Sequence, residues 1–316
     1  MLKQYIYMHL PEKAQRLLIC LMDKRNVAIL QRDCEELDSK IKVIKEEHRY
    51  LYVQIGKLYY CGRKNESLFE TCLDYSRFKN ISKSHLENYF GLFGTLTWHF
   101  VRKIYPVHTI VHEKEGAIID CGAHFGIFTV LAAKEMQRKG SKGKVLAIEI
   151  DRGNYQALLK NIKLNKLKNV IAIQKGVFSK KAEMNLFMNR RGSQTNSIIY
   201  EYVYNKSGDY KVSMDRLDNI LKEQAISRVQ TIKIDVEGAE VDALEGMRNT
   251  LSTNPKTKIF LATHAVNGVD LKPACVKKLG TLGFSNITKT DYPEINIFMK
   301  GKAQKKRISA YRHKHG

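Results

Sequence analysis

The sequence predicts an α/β fold with a doubly wound, mostly parallel sheet whose last strand runs antiparallel. Two observations predict it. From Gly116 onward, short apolar runs alternate with stretches of helical periodicity, which is the pattern of right-handed βαβ units with helices on both faces of a parallel sheet. Near residue 300, two alternating runs flank Asp291-Tyr-Pro, which predicts a closing hairpin rather than another βαβ unit.

Each predicted strand is a short run of apolar residues. The five runs that alternate with helical patterns are 117–122, 145–150, 170–174, 229–234 and 259–263. The helical patterns cover about residues 125–136, 155–162, 243–247 and 274–279, and the hairpin strands are 285–290 and 294–299. Residues 177–214 interrupt this rhythm and predict a β-rich insertion around a polar loop.

The first 104 residues predict an N-terminal extension of mixed helical and α+β character. An apolar stripe at spacings of three and four predicts a helix within residues 1–50, with members Val27, Leu30, Cys34, Leu37, Ile41 and Ile44. Both a helix docked on the core and a dimerising coiled coil fit this stripe. Residues 50–60 alternate around a central glycine and predict a strand or hairpin.

The composition excludes several classes of protein. With 43% hydrophobic residues, the 316-residue chain can build a full core, so a largely disordered protein is excluded. No apolar run approaches the roughly 20 residues of a membrane span, and the run 17–22 is too short for a signal-peptide core. Six scattered cysteines without a C-x-x-C pair argue against a zinc ribbon and a disulfide scaffold. We therefore predict a cytoplasmic protein.

The charge is strongly positive, with 54 Lys and Arg against 32 Asp and Glu, a net +22. Residues 301–316 carry six basic residues and no acid, and we predict a disordered tail there. Such a tail attracts phosphates or anionic lipid headgroups, which suggests a protein held peripherally at a membrane. A solvated, lysine-rich surface is the alternative explanation of the charge.

The first strand-to-helix turn, Asp120-Cys-Gly-Ala-His-Phe-Gly126, predicts a ligand site. Gly122 would allow close approach of the backbone to a ligand, and Gly126 a tight start of the helix against the strand. The dinucleotide pattern G-x-G-x-x-G and the P-loop pattern are both absent. Glu149, at the end of the second strand, can accept hydrogen bonds from both hydroxyls of an adenosine ribose, or else be a surface acid before Asp151 as a helix cap.

Polar residues also follow the fourth and fifth strands. Lys233, Asp235 and Glu237 alternate at the end of the fourth strand, and His264 follows the fifth. Because ligands bind outside the carboxyl ends of strands in open α/β sheets, we expect these side chains to meet beside the cofactor. An ion pair capping the next helix is the alternative for the acids, and a structural role the alternative for His264.

Five segments together resemble the FkbM-type S-adenosylmethionine-dependent methyltransferases over roughly residues 105–300. They are IIDCGAHFG, VLAIEID, the asparagine pair in KNIKLNKLKNV, the pair Leu217-Asp218 and IKIDVEGAEVDALEG. The resemblance implies a Rossmann-like class I methyltransferase fold with seven strands. It divides the chain into an extension, 1–104, a methyltransferase domain, 105–300, and the tail, 301–316.

The resemblance also implies roles for the site residues. Gly122, Ala123 and Gly126 would hold the methionine end of S-adenosylmethionine, with Asp120 and His124 in the same turn, Glu149 on the ribose and Asp235 beside the transferred methyl group. The family usually has Asn at position 124, and its Glu-x-His at the fifth strand is here Ala262-Thr-His264. No role can therefore be assigned to the missing acid.

Family members mostly methylate hydroxyls of sugars, glycolipids or polyketide-like metabolites, so the resemblance implies O-methylation. We expect Asp235 or Glu237 to accept the hydroxyl proton, with His264 as the alternative and Lys233 orienting the carboxylates. A divalent metal held by the carboxylates is an open alternative, but no His/Asp cluster with ligand spacing supports it, so no metal ligands are assigned.

Three other functions stay open. The charge suggests an RNA-modifying methyltransferase, although neither a D/N-P-P-Y/F block nor an aromatic RNP-like run is present. A nicotinamide oxidoreductase uses a similar fold. A non-catalytic, cofactor-binding scaffold is suggested by the N-terminal helix alone.

Overall fold

The computed structural model describes residues 32–33, 35–37, 39–47, 50–63, 92, 94–189, 193–203, 206–289 and 295–300. The predicted tail, 301–316, and the first part of the predicted N-terminal helix lie outside these residues. The domain boundaries at residues 104 and 300 stay predictions.

The described elements agree closely with the predicted rhythm from residue 116 onward. The strands are β1 Ile41–Glu47, β2 Tyr50–Ile55, β3 Leu58–Arg63, β4 Ala117–Cys121, β5 Val145–Ile148, β6 Val170–Ile173, β7 Gly176–Val177, β8 Ala182–Asn189, β9 Lys206–Asp215, β10 Val229–Ile234, β11 Lys258–Ala262, β12 Ala265–Val266, β13 Val269–Asp270, β14 Phe284–Lys289 and β15 Ile295–Lys300. The helices are α1 Ile127–Arg138, α2 Arg152–Leu164, α3 Leu217–Glu223, α4 Glu240–Gly246, α5 Arg248–Thr253 and α6 Lys272–Thr281. Short helical turns lie at Gly94–Leu96, Thr97–Val101, Val107–Thr109, Ser193–Thr195 and Tyr200–Tyr202.

The central sheet has seven strands in the order β14-β15-β11-β10-β4-β5-β6. Strands β11, β10, β4, β5 and β6 pair in parallel, whereas β15 is antiparallel to both of its neighbours. This confirms the predicted doubly wound sheet with an antiparallel last strand. The chain leaves β4 in one direction and returns beside it as β10, so the switch point, where open α/β sheets bind ligands, lies between these two strands.

Two hydrophobic clusters cover the two faces of this sheet. Because neighbouring residues of a strand point to opposite faces, Ile118 packs in one cluster and Ile119 in the other. The first cluster takes apolar residues from α1 and α2, and the second from α3, α4 and α6. In the described part of the chain, every helix is too short or too polar to cross a membrane.

The interruption at residues 177–214 is a small sheet, which confirms the predicted β-rich insertion. Its strands lie in the order β7-β9-β8, and β8 and β9 form an antiparallel pair. A buried cluster that includes Leu186 and Met214 joins this sheet to Ala239 at the start of α4. The insertion therefore stands against the carboxyl ends of the central strands.

The N-terminal extension contains a three-stranded antiparallel sheet, β1-β2-β3. The predicted hairpin is confirmed, with Gly56 at φ +57° in its turn. The predicted helix is wrong over 41–47, which forms β1. Ile41 and Ile44 keep helical spacing, but their branched side chains suit a strand, and β2 offers backbone partners along its whole length.

The short helical stretch before β1 is docked on the core. Leu37 is fully buried, and the buried carboxylate of Asp33 pairs with Arg102 at 2.7 Å. These contacts favour the docked helix over a coiled coil for residues 32–37.

Asn161 and Asn165 of α2 fasten the β3 strand to the methyltransferase-like domain. Asn161 accepts from the Cys61 amide at 2.5 Å and donates to the carbonyls of Cys61, at 2.8 Å, and Phe125, at 2.6 Å. Asn165 makes the same pair of bonds to the backbone of Tyr59, at 3.0 and 2.6 Å. The two side-chain amides lie one helical turn apart and form hydrogen bonds with backbone groups at the edge of β3. The asparagine pair noted in the sequence therefore has a structural role.

We expect Asn161→Ala to lower the free energy of unfolding by about 2 kcal/mol or more, because it leaves three buried backbone groups unpaired. Chemical denaturation monitored by circular dichroism measures this change. Lys163→Ala, an exposed change on the same helix, is the control and should stay within about 0.5 kcal/mol. Equal stability of the two variants would contradict the assigned role of Asn161.

Candidate active site

A cleft opens at the carboxyl ends of β4, β5 and β10, at the switch point of the sheet. It encloses about 1000 Å³ of space between protein atoms, open solvent included. Gly122, Ala123, His124 and Glu149 line it among the predicted cofactor residues, and Lys233, Asp235 and Glu237 line it among the predicted catalytic ones. The predicted site residues are thus largely gathered around one cleft.

The two glycines of the first turn make close contacts within the fold that the sequence did not predict. Gly122 has φ +78°, and a Cβ there would lie 1.9 Å from the carbonyl oxygen of Asp235, so its close approach is to the backbone beyond β10. Gly126 has φ +79°, and its Cβ would lie 2.3 Å from Leu158 Cδ1 on α2. The glycine at position 126 therefore allows the start of α1 to contact α2, whereas the sequence predicted contact between the helix and the strand. Gly126 does not line the cleft.

His124 has a left-handed backbone, with φ +51°. Asn and His are both enriched in this conformation, so the replacement of the family's usual Asn keeps the turn. The His124 amide donates to Glu149, and its imidazole Nε2 lies 3.3 Å from Ser193 Oγ in the insertion. His124 thus connects the turn to both the second strand and the insertion.

Glu149 is nearly fully buried at the edge of the cleft. Its carboxylate accepts the amides of Asp151, at 2.8 Å, and His124, at 2.6 Å. Burial, reinforced by the charge of Asp151, raises the pKa of Glu149 to about 7. Asp151 caps α2 by accepting a hydrogen bond from the Asn154 amide at 2.7 Å. The buried acid Glu149 and the helix cap Asp151 are therefore both present, two residues apart.

A buried ion pair lies beneath the glycine turn. Lys233 Nζ is 3.1 Å from Asp120 Oδ1 and donates to the Gly122 carbonyl at 2.8 Å, and Asp120 Oδ2 accepts from Thr129 at 2.6 Å. Burial alone would lower the pKa of Lys233, but the carboxylates of Asp120 and Asp235 outweigh it and raise that pKa to about 12. Asp120 does not line the cleft, so its contacts support the turn from behind.

Asp235, Glu237 and His264 form a cluster where β10 and β11 end. His264 Nε2 lies 3.4 Å from Glu237 Oε2 and 3.8 Å from Asp235 Oδ1. Asp235 Oδ2 accepts from Tyr105 at 3.3 Å and lies 3.6 Å from Lys233, and the Tyr202 hydroxyl donates to Glu237. The structure thus brings together all four residues predicted to be catalytic.

Glu240 completes the cluster from below. His264 Nδ1 donates to Glu240 Oε1 at 2.8 Å, and this carboxylate is fully buried at the start of α4. Sequence reasoning had not assigned a role to Glu240, Tyr105 or Tyr202. Glu240 could have been found, because it belongs to the same VEGAE motif, whereas single tyrosines in regions without motifs carry no such signal.

The charges in the cluster influence each other strongly. Burial alone would raise the pKa of Asp235, but Lys233 and His264 outweigh it and lower that pKa. Burial and the charge of Asp235 raise the pKa of Glu237. Burial alone would lower the pKa of His264, but Glu237 and Glu240 outweigh it and raise that pKa.

One possible metal-ligand atom from each of Asp235, Glu237 and His264 lies within 4.8 Å of the other two. Ligand spacing along the chain could not reveal this cluster, because its members follow two different strands and meet only in the fold.

Comparison with known proteins agrees with this geometry. A family model described as "Methyltransferase FkbM domain" matches residues 120–300, which is more than half of the chain. The chain belongs to this family. The match includes the glycine turn, Glu149 and the whole carboxylate–histidine cluster.

Two fungal relatives carry methyltransferase names. The chain is 31% identical over 158 residues to methyltransferase sdnD of Sordaria araneosa, covering 41% of this chain and 60% of that protein. It is 26% identical over 165 residues to methyltransferase 1 of Beauveria bassiana, covering 47% and 64%. The chain thus spans less than two thirds of the length of these relatives. The crystal structure of methyltransferase FkbM from Methylobacillus flagellatus is 17% identical, with a TM-score of 0.42, over 69% of this chain and 55% of that one.

The cofactor of this methyltransferase family is S-adenosylmethionine, and the cleft fits such a molecule. The side-chain oxygen of Asn154, on the first turn of α2, is buried there and has no hydrogen-bond partner among the described residues. Together with Glu149, which also lines the cleft, it provides acceptors for the hydroxyl and amino groups of an adenosine compound.

We expect the affinity for S-adenosylmethionine to fall as the pH drops below about 7, because ribose hydroxyls donate to the ionised form of Glu149. Above the pKa of the free carboxyl the affinity should be constant. Below it the affinity should fall by at most about tenfold per pH unit, until the lower pKa of the bound state is reached. Isothermal titration calorimetry between pH 5.5 and 8.5 measures this. Glu149→Gln should bind more weakly at pH 8 and lose this slope, and an unchanged slope in that variant would contradict the assignment.

Proposed function

We propose that this chain transfers the methyl group of S-adenosylmethionine to a hydroxyl group of a sugar, a glycolipid or a secondary metabolite. The observation that carries the proposal is that Asp235 and Glu237 line the same cleft as the glycine turn and Glu149. A cofactor seated on the turn would therefore lie beside groups that can accept a proton.

The cofactor would be held at two places. Gly122, Ala123 and His124 would contact its methionine end, and Glu149 its ribose. Asp120 and Gly126 support this seat without lining it, the first through Lys233 and the second through α2. When bound, S-adenosylmethionine supplies an electrophilic methyl group, which the acceptor oxygen takes over as the carbon–sulfur bond breaks.

The chain's own residues would align the hydroxyl and take up its proton. Asp235, Glu237 and His264 are the candidate acceptors, since the first two line the cleft and the third contacts both. Lys233 anchors Asp235 and need not transfer a proton itself. Tyr105 and Tyr202 fix the two carboxylates by donating hydrogen bonds to them.

Part of the cleft wall is apolar and aromatic. Trp98, Ile104, Tyr105 and Phe128 line it, and Trp98 stays 40% exposed. Such a wall suits the carbon skeleton of a metabolite or the apolar face of a sugar ring. It supports an acceptor that is a small molecule or a single glycan residue.

The double variant Asp235→Asn and Glu237→Gln should lower the rate of methyl transfer by about 100-fold or more, since it removes general-base catalysis while keeping side-chain size. Labelled methyl transfer into separated glycan, lipid and small-molecule fractions measures this. The exposed change Glu183→Gln, on β8, is the matched control and should keep the full rate. Full transfer by the double variant, with cofactor still bound, would disprove the proposed roles.

The same assay distinguishes the acceptor classes. For this purpose an RNA fraction is assayed as well. If the label entered RNA and no hydroxylated small molecule, RNA modification would take the place of the proposed function. We further propose that the basic residues 301–316 attract an anionic membrane or a charged glycan. Unchanged sedimentation with anionic liposomes after deletion of these residues would disprove the membrane role.

A further inference from the structure

We propose that Asp235, Glu237 and His264 bind a divalent cation on the floor of the cleft, with Glu240 holding the imidazole in place. The inference rests on the proposed function only for what the cation does. The site itself follows from the arrangement of the side chains.

The distances in the cluster fit ligands around a common ion better than direct hydrogen bonds. His264 Nε2 is 3.4 Å from Glu237 Oε2 and 3.8 Å from Asp235 Oδ1, both longer than a good N–H···O hydrogen bond. Two neighbouring ligand atoms that each lie about 2.1 Å from a cation are roughly 3.0 Å apart in octahedral geometry and roughly 3.4 Å apart in tetrahedral geometry. The three ligand atoms lie within 4.8 Å of one another, so side-chain movements on the order of 1 Å would let them close on one cation.

Glu240 sets the histidine for metal binding. Its Oε1 lies 2.8 Å from His264 Nδ1 and keeps a proton on that nitrogen, so a cation beside Asp235 and Glu237 would take the place of the proton on Nε2 and bind the lone pair of that nitrogen. A carboxylate behind a ligating histidine is the usual second partner of protein metal sites. The other oxygen of Glu240 is buried without a hydrogen-bond donor, so part of its charge has no local compensation.

The balance of charge also favours a cation. Lys233 pairs with Asp120 and Asp235, but among the described residues Glu237 and Glu240 share a single cationic partner, the imidazole of His264, so one of these two carboxylates lacks a charge partner of its own. Burying carboxylates without such a partner is unfavourable. A bound divalent cation would compensate both.

The donor set and the position of the site indicate its chemistry. Two carboxylates and one imidazole suit Mn²⁺, Mg²⁺ or a similar divalent ion and leave positions open for other oxygens. Because Asp235 and Glu237 line the cleft, those positions face the region where the acceptor would bind. There the cation would hold the acceptor oxygen and make its proton easier to remove.

Titration of the full chain with Mn²⁺, followed by electron paramagnetic resonance of the free ion, tests the site without any need for activity. We expect one Mn²⁺ to bind per chain and Mg²⁺ to compete for it. Asp235→Asn and Glu237→Gln should each weaken binding by at least about tenfold, and Glu240→Gln by about 10–100-fold. Glu183→Gln should bind as the unchanged chain does.

Thermal unfolding and S-adenosylmethionine affinity, measured on the same samples, separate loss of the site from loss of the fold. A Glu240→Gln chain that keeps both but binds Mn²⁺ weakly supports its positioning role. The metal site would be overturned by the absence of stoichiometric Mn²⁺ binding, or by Asp235→Asn and Glu237→Gln chains that bind Mn²⁺ as tightly as the unchanged chain. Full methyl transfer in excess chelator would overturn the role of the cation in the reaction while leaving the proposed function intact. Specific Mn²⁺ binding without transfer to any hydroxyl would support the site and contradict the proposed function instead.

Discussion

The geometry of the cleft depends on the buried ion pairs that the ammonium group of Lys233 makes. From the end of β10 it contacts Asp120 at the end of β4, the Gly122 carbonyl in the turn and Asp235 beyond its own strand. A buried lysine would be strongly destabilising without these partners, and the negative charges of Asp120 and Asp235 would be uncompensated without the lysine. The pair thus joins the two strands that flank the switch point and fixes the turn against the carboxylate cluster.

The rest of the site is arranged around this ion pair. The absence of a side chain at Gly122 allows the turn to lie against the backbone of Asp235, which brings the glycine turn and the carboxylate cluster together. His264, held by Glu240, then contacts the two half-buried carboxylates of Asp235 and Glu237. The Asn161 and Asn165 side chains attach the N-terminal sheet to α2, so the extension packs into the same core as the methyltransferase domain.

The central sheet could be predicted from sequence because its strands are buried on both faces and read as continuous apolar runs. The alternation of these runs with helices also fixed where polar residues meet, which is why Lys233, Asp235, Glu237 and His264 were found. Periodicity failed at β1, since apolar spacing cannot show that β2 provides an edge to be paired. Periodicity also could not find Tyr105 and Tyr202, because their contacts arise only when distant segments fold against the end of β10. Nor could it find the cluster of Asp235, Glu237 and His264 as possible metal ligands, because these residues follow two different strands.

The central claim is that a cofactor on the glycine turn directs its reactive group toward the carboxylate–histidine cluster. A crystal structure of the full chain with S-adenosylhomocysteine tests it most directly. The account predicts ribose hydroxyls on Glu149 and the sulfur atom facing Asp235 and Glu237 across the cleft. A cofactor bound with its sulfur turned away from these carboxylates, or with its ribose away from Glu149, would contradict it.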